Sequence, residues 1–293
     1  MESVRVIRTV QDMHRVADRM RRDGFRIGLV PTMGYLHGGH ASLIRQIGRV
    51  TDRTVVSVFV NPAQFGPDED FETYPRDFER DLAMVHAEGG SLVYAPSKAE
   101  MYPDGYATYL EVERLPDHLC GASRPGHFRG VATVVAKLFA AVKPHVAIFG
   151  RKDAQQAGVV RRVATDLNLD VEIMIAPTVR EVDGLAKSSR NRYLTPGHRR
   201  RATLLYGVLQ EGRDRVLKGE KRASAVIDAM NRRVSRSTGV AVDYISAVDA
   251  EDFRPVEALG DRVLLAAAVR FGKFRLIDNI VVETEPRAVR ELR

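Results

Sequence analysis

Two histidines three residues apart, His37 and His40, lie in the stretch Val30-Pro31-Thr32-Met33-Gly34-Tyr35-Leu36-His37-Gly38-Gly39-His40-Ala41-Ser42-Leu43. Once a helix begins, that spacing puts both imidazoles on one side, within reach of a single anion. The stretch starts where an apolar, β-branched run ends, and Gly34, Gly38 and Gly39 surround the histidines. A strand end, a glycine turn and a helix start together offer backbone N–H groups and the positive end of a helix dipole, which suits phosphate. Two imidazoles there could neutralise charge developing on an α-phosphate and its pyrophosphate leaving group. Surface histidines near a helix cap, or a metal-binding pair, are the plainer alternatives, and the preceding strand and the glycines favour phosphate.

Three more segments leave the same kind of position. Phe59-Val60-Asn61-Pro62-Ala63-Gln64-Phe65-Gly66 follows another apolar run, and Asn61 and Gln64 are neutral amides. Neutral amides suit a carboxylate that must stay nucleophilic, because a full salt bridge would damp its attack on phosphorus. A turn built on Asn-Pro would account for Asn61 but not for Gln64. In Gly150-Arg151-Lys152-Asp153-Ala154-Gln155-Gln156, Lys152 can hold phosphate as a point charge, Asp153 can accept ribose hydroxyls or cap a helix, and Gln156 can share a pocket with Gln64. Finally, Val179-Arg180-Glu181-Val182-Asp183-Gly184-Leu185-Ala186-Lys187-Ser188-Ser189-Arg190-Asn191 joins a turn signal to cations and hydroxyls that could close over a triphosphate.

The elements that must position these segments are legible as apolar runs. Ile27–Val30, Val55–Val60, Ser91–Tyr94, Val146–Phe149 and Val171–Ile175 read as buried strands, and an amphipathic helix runs from about Phe128 to Val142. Strands alternating with helices predict an α/β, Rossmann-like doubly wound parallel sheet. After Pro177 the texture becomes α+β, with helices expected at Pro196–Leu217 and Ala223–Val234 and strands at Val240–Ala247, Arg262–Val269 and Phe274–Val282. The expected division is residues 1–178 for the nucleotide- and acid-binding domain and 179–293 for a smaller domain that closes over the site.

Composition narrows the classes of function. The chain has 293 residues, 44% of them hydrophobic, enough for a sizeable core. Its one cysteine, Cys120, excludes an intrachain disulfide framework and a thiolate zinc cluster, so a reducing, cytoplasmic setting is expected. The stretch Met1-Glu2-Ser3-Val4-Arg5-Val6 lacks the apolar region of a secretory leader, and no apolar run approaches the roughly 20 residues needed to span a bilayer. A net charge of +7 could attract nucleic acid, but the basic residues are not interleaved with aromatic stacking platforms, so no nucleic-acid partner is expected.

Taken in order, the four segments resemble the pantothenate synthetases (pantoate–β-alanine ligases), a family of the nucleotidyltransferase-like Rossmann superfamily. The likeness extends to Tyr74-Pro75-Arg76, Met101-Tyr102-Pro103, Cys120-Gly121, Arg124-Pro125-Gly126-His127-Phe128-Arg129-Gly130-Val131 and Arg275-Leu276-Ile277-Asp278-Asn279. The resemblance implies that pantoate and Mg-ATP form pantoyl adenylate and pyrophosphate, and that β-alanine then displaces AMP to give pantothenate. It implies His40 as the catalytic acid, with His37 and Lys152 beside it. Met33, Gly34, Tyr35, Leu36, His37, Gly38, Gly39 and His40 would form the first ATP loop, and Gly150, Arg151, Lys152 and Asp153 the second. Val179 would meet the adenine side, and Lys187, Ser188, Ser189 and Arg190 would close on ATP. Gln64 and Gln156 would hold the acid, and Asn61 is added to them on its residue type and position alone. ATP as co-substrate, Mg²⁺ without a protein-built metal site, and a homodimer are also implied. Gly38, Arg151 and Lys187 depart from the commonest family pattern, each making the nucleotide site more positive. A nucleotidyltransferase of the same superfamily would instead stop at nucleotide transfer, with no amine-dependent release of AMP.

Overall fold

A computed structural model describes residues 4–67, 69–272 and 274–284, and Met1, Glu2 and Ser3 of the stretch inspected for a leader lie outside them. The chain divides into two compact units. The first runs to Pro116 and adds Cys120–Val179 and Lys187–Ser189, and the second holds Asp117–Leu119, Arg180–Ala186 and the chain from Arg190 onward.

Up to residue 179 the elements are β1 (Arg5–Ile7), α1 (Val10–Arg22), β2 (Ile27–Thr32), α2 (Gly38–Ile47), β3 (Arg53–Val58), α3 (Phe78–Ala87), β4 (Leu92–Tyr94), α4 (Lys98–Met101), α5 (Leu119–Ser123), α6 (His127–Val142), β5 (Val146–Gly150), α7 (Ala154–Asp166) and β6 (Glu172–Ala176). The strands form one sheet in the order β1-β4-β3-β2-β5-β6, every pair parallel. The expected doubly wound α/β architecture is therefore present. From β2 the chain winds outward through β3 and β4, then returns to add β5 on the other side of β2. That reversal puts the carboxyl ends of β2, β3 and β5 beside one another, where open α/β sheets hold ligands.

Burial explains why these runs form a sheet. Ile27, Leu29, Val30, Val55, Val56, Val146, Ala147 and Ile148 are wholly inaccessible, as strands covered on both faces must be. Helix α6 is buried around most of its circumference, through Phe128, Val131, Val135, Leu138, Phe139 and Val142 among others. Each large side chain so buried contributes about 1.5–3 kcal/mol relative to exposure. At its start α6 presents Gly130, where a Cβ would fall 2.1 Å from the Ala63 carbonyl oxygen, so only glycine lets the helix approach the Pro62–Gln64 turn.

The second unit contains α8 (Pro196–Ala202), α9 (Leu204–Leu217), α10 (Ala223–Ser235) and an antiparallel sheet of β7 (Ala241–Asp249), β8 (Arg262–Phe271) and β9 (Phe274–Glu283). The single helix expected over Pro196–Leu217 is two, broken at Thr203, whose hydroxyl donates to the Arg200 carbonyl at 2.9 Å. Leu209, Val226, Met230, Leu265 and Ala267 form its dry core. The Arg180 guanidinium donates to both carboxylate oxygens of the buried Asp278, at 2.6 and 3.1 Å, tying β9 to the turn that Arg180 and Ala186 close by a backbone bridge. Among the described residues no helix is long and apolar enough to cross a membrane.

Candidate active site

The loop between β2 and α2 is held by side chains that leave little of it free to move. Thr32 begins it, donating its hydroxyl to the Ser57 carbonyl at 2.6 Å and accepting from the Gly34 N–H at 3.1 Å. Gly34 and Tyr35 then both take left-handed conformations, with φ of 80° and 50°. Gly34 also needs its bare Cα, because a Cβ would sit 3.0 Å from both Asp81 Oδ2 and Val58 Cγ1. Asp81, almost fully buried on α3, receives the Tyr35 N–H at 2.8 Å on one oxygen and the Leu36 N–H at 2.6 Å on the other. Burial pushes its carboxyl up, and these two hydrogen bonds pull it back.

At the start of α2 the two histidines cap the helix reciprocally. His37 is the N-cap residue, and its Nδ1 accepts the Gly39 N–H at 3.1 Å; His40 Nδ1 accepts the His37 N–H at 3.3 Å. Their rings stack with centroids 4.1 Å apart. A Cβ on Gly39 would fall 2.8 Å from the His37 ring, so this cap requires glycine at 39. With both Nδ1 atoms occupied as acceptors, the proton of each neutral imidazole resides on Nε2, which is then a donor.

This arrangement revises the expectation of a row of free loop amides. The N–H groups of Gly34, Tyr35, Leu36, His37 and Gly39 all have acceptors, and the His40 N–H meets the His37 side chain in the capping box, leaving that of Gly38 without one among the described hydrogen bonds. The donors offered to an anion are thus the imidazoles and the helix start.

The electrostatics are those of a site awaiting negative charge. Burial, then the cations Lys152, Lys187 and Arg80, push His37 down to about 4. Burial, His37 and Lys152 hold His40 well below the ordinary imidazole range, with Asp153 opposing them. Lys152 lies in the turn Arg151–Asp153 after β5 and Gly150, with its ammonium 3.5 Å from Asp153 Oδ1. Asp153 stands at the N-cap of α7 yet makes no side-chain capping bond, so capping does not explain this carboxylate.

The neutral amides separate into supporting and available groups. Asn61, read from the sequence as a substrate ligand, is 1% exposed and uses both amide hydrogens on Gln64 Oε1 and the Gly130 carbonyl, at 3.0 and 3.1 Å. Its oxygen accepts from the Tyr102 hydroxyl at 2.7 Å and the Ala63 N–H at 3.3 Å. That expectation is corrected on physical grounds: with its hydrogen-bonding capacity used, Asn61 positions Gln64. Gln64 donates one amide hydrogen to Met33 Sδ at 3.1 Å, which leaves the other for a ligand. Gln155 is buried and bonded to Leu115 and Cys120, whereas Gln156, in the first turn of α7, is partly exposed.

Beneath Gln64 lie Arg124 and His127, which the motifs include without giving them a role, and Glu69, which they do not include. His127 Nδ1 donates to the Gln64 carbonyl at 2.8 Å, and Arg124 reaches His127 Nε2 at 2.9 Å and both oxygens of Glu69 at 2.5 and 2.6 Å. Burial, then Arg124, lowers His127 to about 4. Asp81 is the other contributor that motif reading missed, because nothing in Phe78-Glu79-Arg80-Asp81 marks one acid as buried.

The segment after Val179 reaches the β2–α2 loop. The Lys187 N–H donates to the Val179 carbonyl at 2.9 Å, and the Ser189 hydroxyl donates to the Tyr35 carbonyl at 3.3 Å. Ser188 lies between them, half-buried, while Arg190 falls in the second unit.

Neutral burial of His37, His40 and His127 has a pH consequence. An unfolded histidine titrates near 6.5 and these folded ones lower, so between about 6.5 and 4 the unfolded chain binds more protons. Stability of the ligand-free protein is then full above pH 6.5 and falls as the pH drops through that window. Urea midpoints at pH 7.5 and pH 5 check this, and an unchanged midpoint would contradict neutral burial.

Comparison with known proteins points to one family. The family model described as pantoate-beta-alanine ligase matches residues 5–281. A pantothenate synthetase of Acetivibrio thermocellus is 50% identical over 280 residues, covering 96% of this chain and all of that relative. The crystal structure of pantothenate synthetase from Thermus thermophilus superposes with a TM-score of 0.91 at 44% identity, covering 97% of this chain and 100% of that one. A pantoate-beta-alanine ligase from Francisella tularensis, complexed with beta-gamma ATP and beta-alanine, superposes with a TM-score of 0.77 at 31% identity, covering 95% and 98%.

Proposed function

The chain belongs to the pantoate–β-alanine ligase family, and from that premise we propose a division of labour among its residues. The reaction is the ATP-dependent condensation of pantoate with β-alanine to pantothenate, AMP and pyrophosphate, by way of pantoyl adenylate. In the first step a pantoate carboxylate oxygen attacks the α-phosphorus and the bond to the β-phosphate oxygen breaks. In the second the β-alanine amine attacks the acyl carbon, AMP leaves with the former carboxylate oxygen, and the nitrogen loses its proton.

The polyphosphate occupies the start of α2. Nε2–H of His37 and of His40 donates to it, with His40 supplying the proton-bearing donor nearest the breaking bond, and Lys152 and Lys187 balance the charge of the departing pyrophosphate. The reciprocal cap at His37 and His40 carries this assignment, because it fixes the tautomer that can donate. Gln64 and Gln156 hold pantoate through neutral amides, which leave its carboxylate nucleophilic. Gly150, Asp153 and Val179 line the nucleoside side, and Ser188, Ser189 and Arg190 close the loop on ATP.

Mg²⁺ enters as part of its ATP complex. No group of three or more histidine, cysteine or acidic side chains among the described residues could hold a metal, and the charged groups acting on His37 and His40 are cations apart from Asp153. That chemistry suits an ion that would be brought by ATP rather than held by protein carboxylates, where it would supply positive charge to the departing pyrophosphate. A division at residues 178 and 179, with the C-terminal part closing over ATP, a cytoplasmic setting and homodimer assembly belong to the same proposal. Protection from limited proteolysis by ATP, and sedimentation of the purified protein, bear on closure and assembly.

The direct test supplies Mg-ATP and pantoate, then adds β-alanine, and follows pyrophosphate, AMP and the mass of the product. Pyrophosphate with pantoate alone and AMP with pantothenate only after the amine is added are the expected results. Nucleotide products in the absence of pantoate would exclude it as the attacking acid.

A further inference from the structure

The phosphate site proposed above contains a pair that motif matching treats as separate positions. Gly38 is the first residue of α2, while Lys187 lies 149 positions later, in the segment that joins the first unit after Val179. In the fold they touch. A Cβ built on Gly38 would lie 3.3 Å from both Lys187 Cδ and Lys187 Cε and 3.6 Å from its Nζ, with nothing else nearer. One residue on, a Cβ at Gly39 would be 3.9 Å from Lys187 Cβ. The lysine stem therefore runs across the first turn of α2 over two bare Cα atoms.

Two further observations fix where the lysine is held and what its charge meets. Its backbone N–H is anchored to the Val179 carbonyl at 2.9 Å, and two residues later the Ser189 hydroxyl is anchored to the Tyr35 carbonyl at 3.3 Å, so the backbone on both sides is pinned to the first unit. Its charge is felt at His37, together with those of Lys152 and Arg80. A cation at the amino end of a helix opposes the helix dipole, and more cations nearby make the arrangement costlier until an anion arrives. Gly38 has no left-handed φ, so its backbone does not call for glycine; what a side chain there would meet is the flexible end of Lys187, which would have to shift.

We propose that Gly38 and Lys187 act as one device, in which the missing side chain at 38 seats the lysine stem so that its ammonium reaches the polyphosphate of ATP. Gly38 is then a positioning residue and Lys187 a specificity-determining contact for the polyphosphate. A methyl group at 38 would ask the stem to give by a few tenths of an ångström, and a branched side chain would take its place.

The test is a double-mutant cycle on the intact enzyme, reading KM for ATP and kcat of pantoate-dependent pyrophosphate release. Lys187→Ala is expected to raise the KM for ATP about tenfold or more, the value of a charge-assisted contact. Gly38→Val should produce most of the same rise, and Gly38→Val/Lys187→Ala should be no worse than Lys187→Ala alone. Gly38→Ala should fall between wild type and Gly38→Val, and all four variants should bind pantoate with unchanged KM. Thermal melts with and without ATP confirm folding, and the ATP-induced rise in Tm should shrink in step with KM. Additive effects of the two substitutions, or a Gly38→Val enzyme with the wild-type KM for ATP, would overturn the coupling. Absence of pantoate-dependent pyrophosphate from the wild-type enzyme would instead overturn the functional assignment beneath it, so the two failures are distinguishable.

Discussion

Alanine in place of His40 is expected to slow pantoate-dependent pyrophosphate release by about 10²- to 10³-fold, the usual loss when one preorganised donor is removed from a developing anion. The structure supplies the reason that this histidine can donate while uncharged. Its Nδ1 accepts the His37 N–H, so Nε2 carries the proton, and burial keeps the ring neutral until a polyanion arrives. Two isosteric substitutions separate the capping role from the donor role. The amide of His40→Asn overlays Nδ1 and can still accept from the His37 N–H, whereas that of His40→Gln overlays Nε2 and can still donate to phosphate. The glutamine enzyme should retain more adenylation activity, and the asparagine enzyme more thermal stability. Loss of the cap alone costs about 1 kcal/mol, too little to unfold the chain, so circular dichroism should remain native in all three variants. Single-turnover pyrophosphate release is the measurement, and a wild-type rate in His40→Ala would remove His40 from the chemical step.

Much of the scaffold could be read directly because buried parallel strands announce themselves. Ile27–Val30 and Val55–Val60 are runs that nothing but a covered sheet would bury, and they appear as β2 and β3 with ends shifted by two residues at most. The β1 strand was not legible, since Arg5–Ile7 is three residues at the sheet edge with a single buried side chain. Thr203 was hidden for another reason: a helix continues in register past a small break, and the apolar period of Leu204-Leu205 does not reveal it.

The site divides along the same line. His37, His40, Lys152 and Gln64 carry chemistry in their types and stand beside glycines and prolines, so spacing alone brings them forward. Asn61 has the right type but serves inward, and only the burial of its amide and the hydroxyl of Tyr102 show it. Conversely, Gln155 and Gln156 are identical in type, and the helix turns one into the core and leaves the other partly exposed. Contacts such as Gly38 against Lys187 join residues far apart in sequence, and no local pattern encodes them.

Asp81 is the sharpest case of a residue visible only in three dimensions, and its replacement should have the second large effect. Its two oxygens serve two backbone donors, the Tyr35 and Leu36 N–H groups, in a part of the loop that is almost out of contact with water. Asp81→Asn keeps the shape but substitutes an amide nitrogen for one oxygen, so a donor faces a donor. One unsatisfied buried N–H costs about 1–3 kcal/mol, and the repulsion adds to it. The loop can relieve part of that cost, because Gly34 and Tyr35 can leave their left-handed conformations and carry Met33 and the His37 cap with them. Asp81→Asn should therefore lower the Tm by several degrees and, at temperatures where the variant is fully folded, raise the KM for ATP by about tenfold or more. Asp81→Ala, which abandons both donors, should do more on both counts. Pantoate KM should change less than ATP KM, since Gln64 is held from below by Asn61 and by the His127 bond to its carbonyl rather than by α3. A variant that melts earlier yet keeps the wild-type KM for ATP would mean that the loop holds its shape without Asp81. A shift confined to ATP would place this buried carboxylate, which bonds the loop backbone, among the determinants of nucleotide binding.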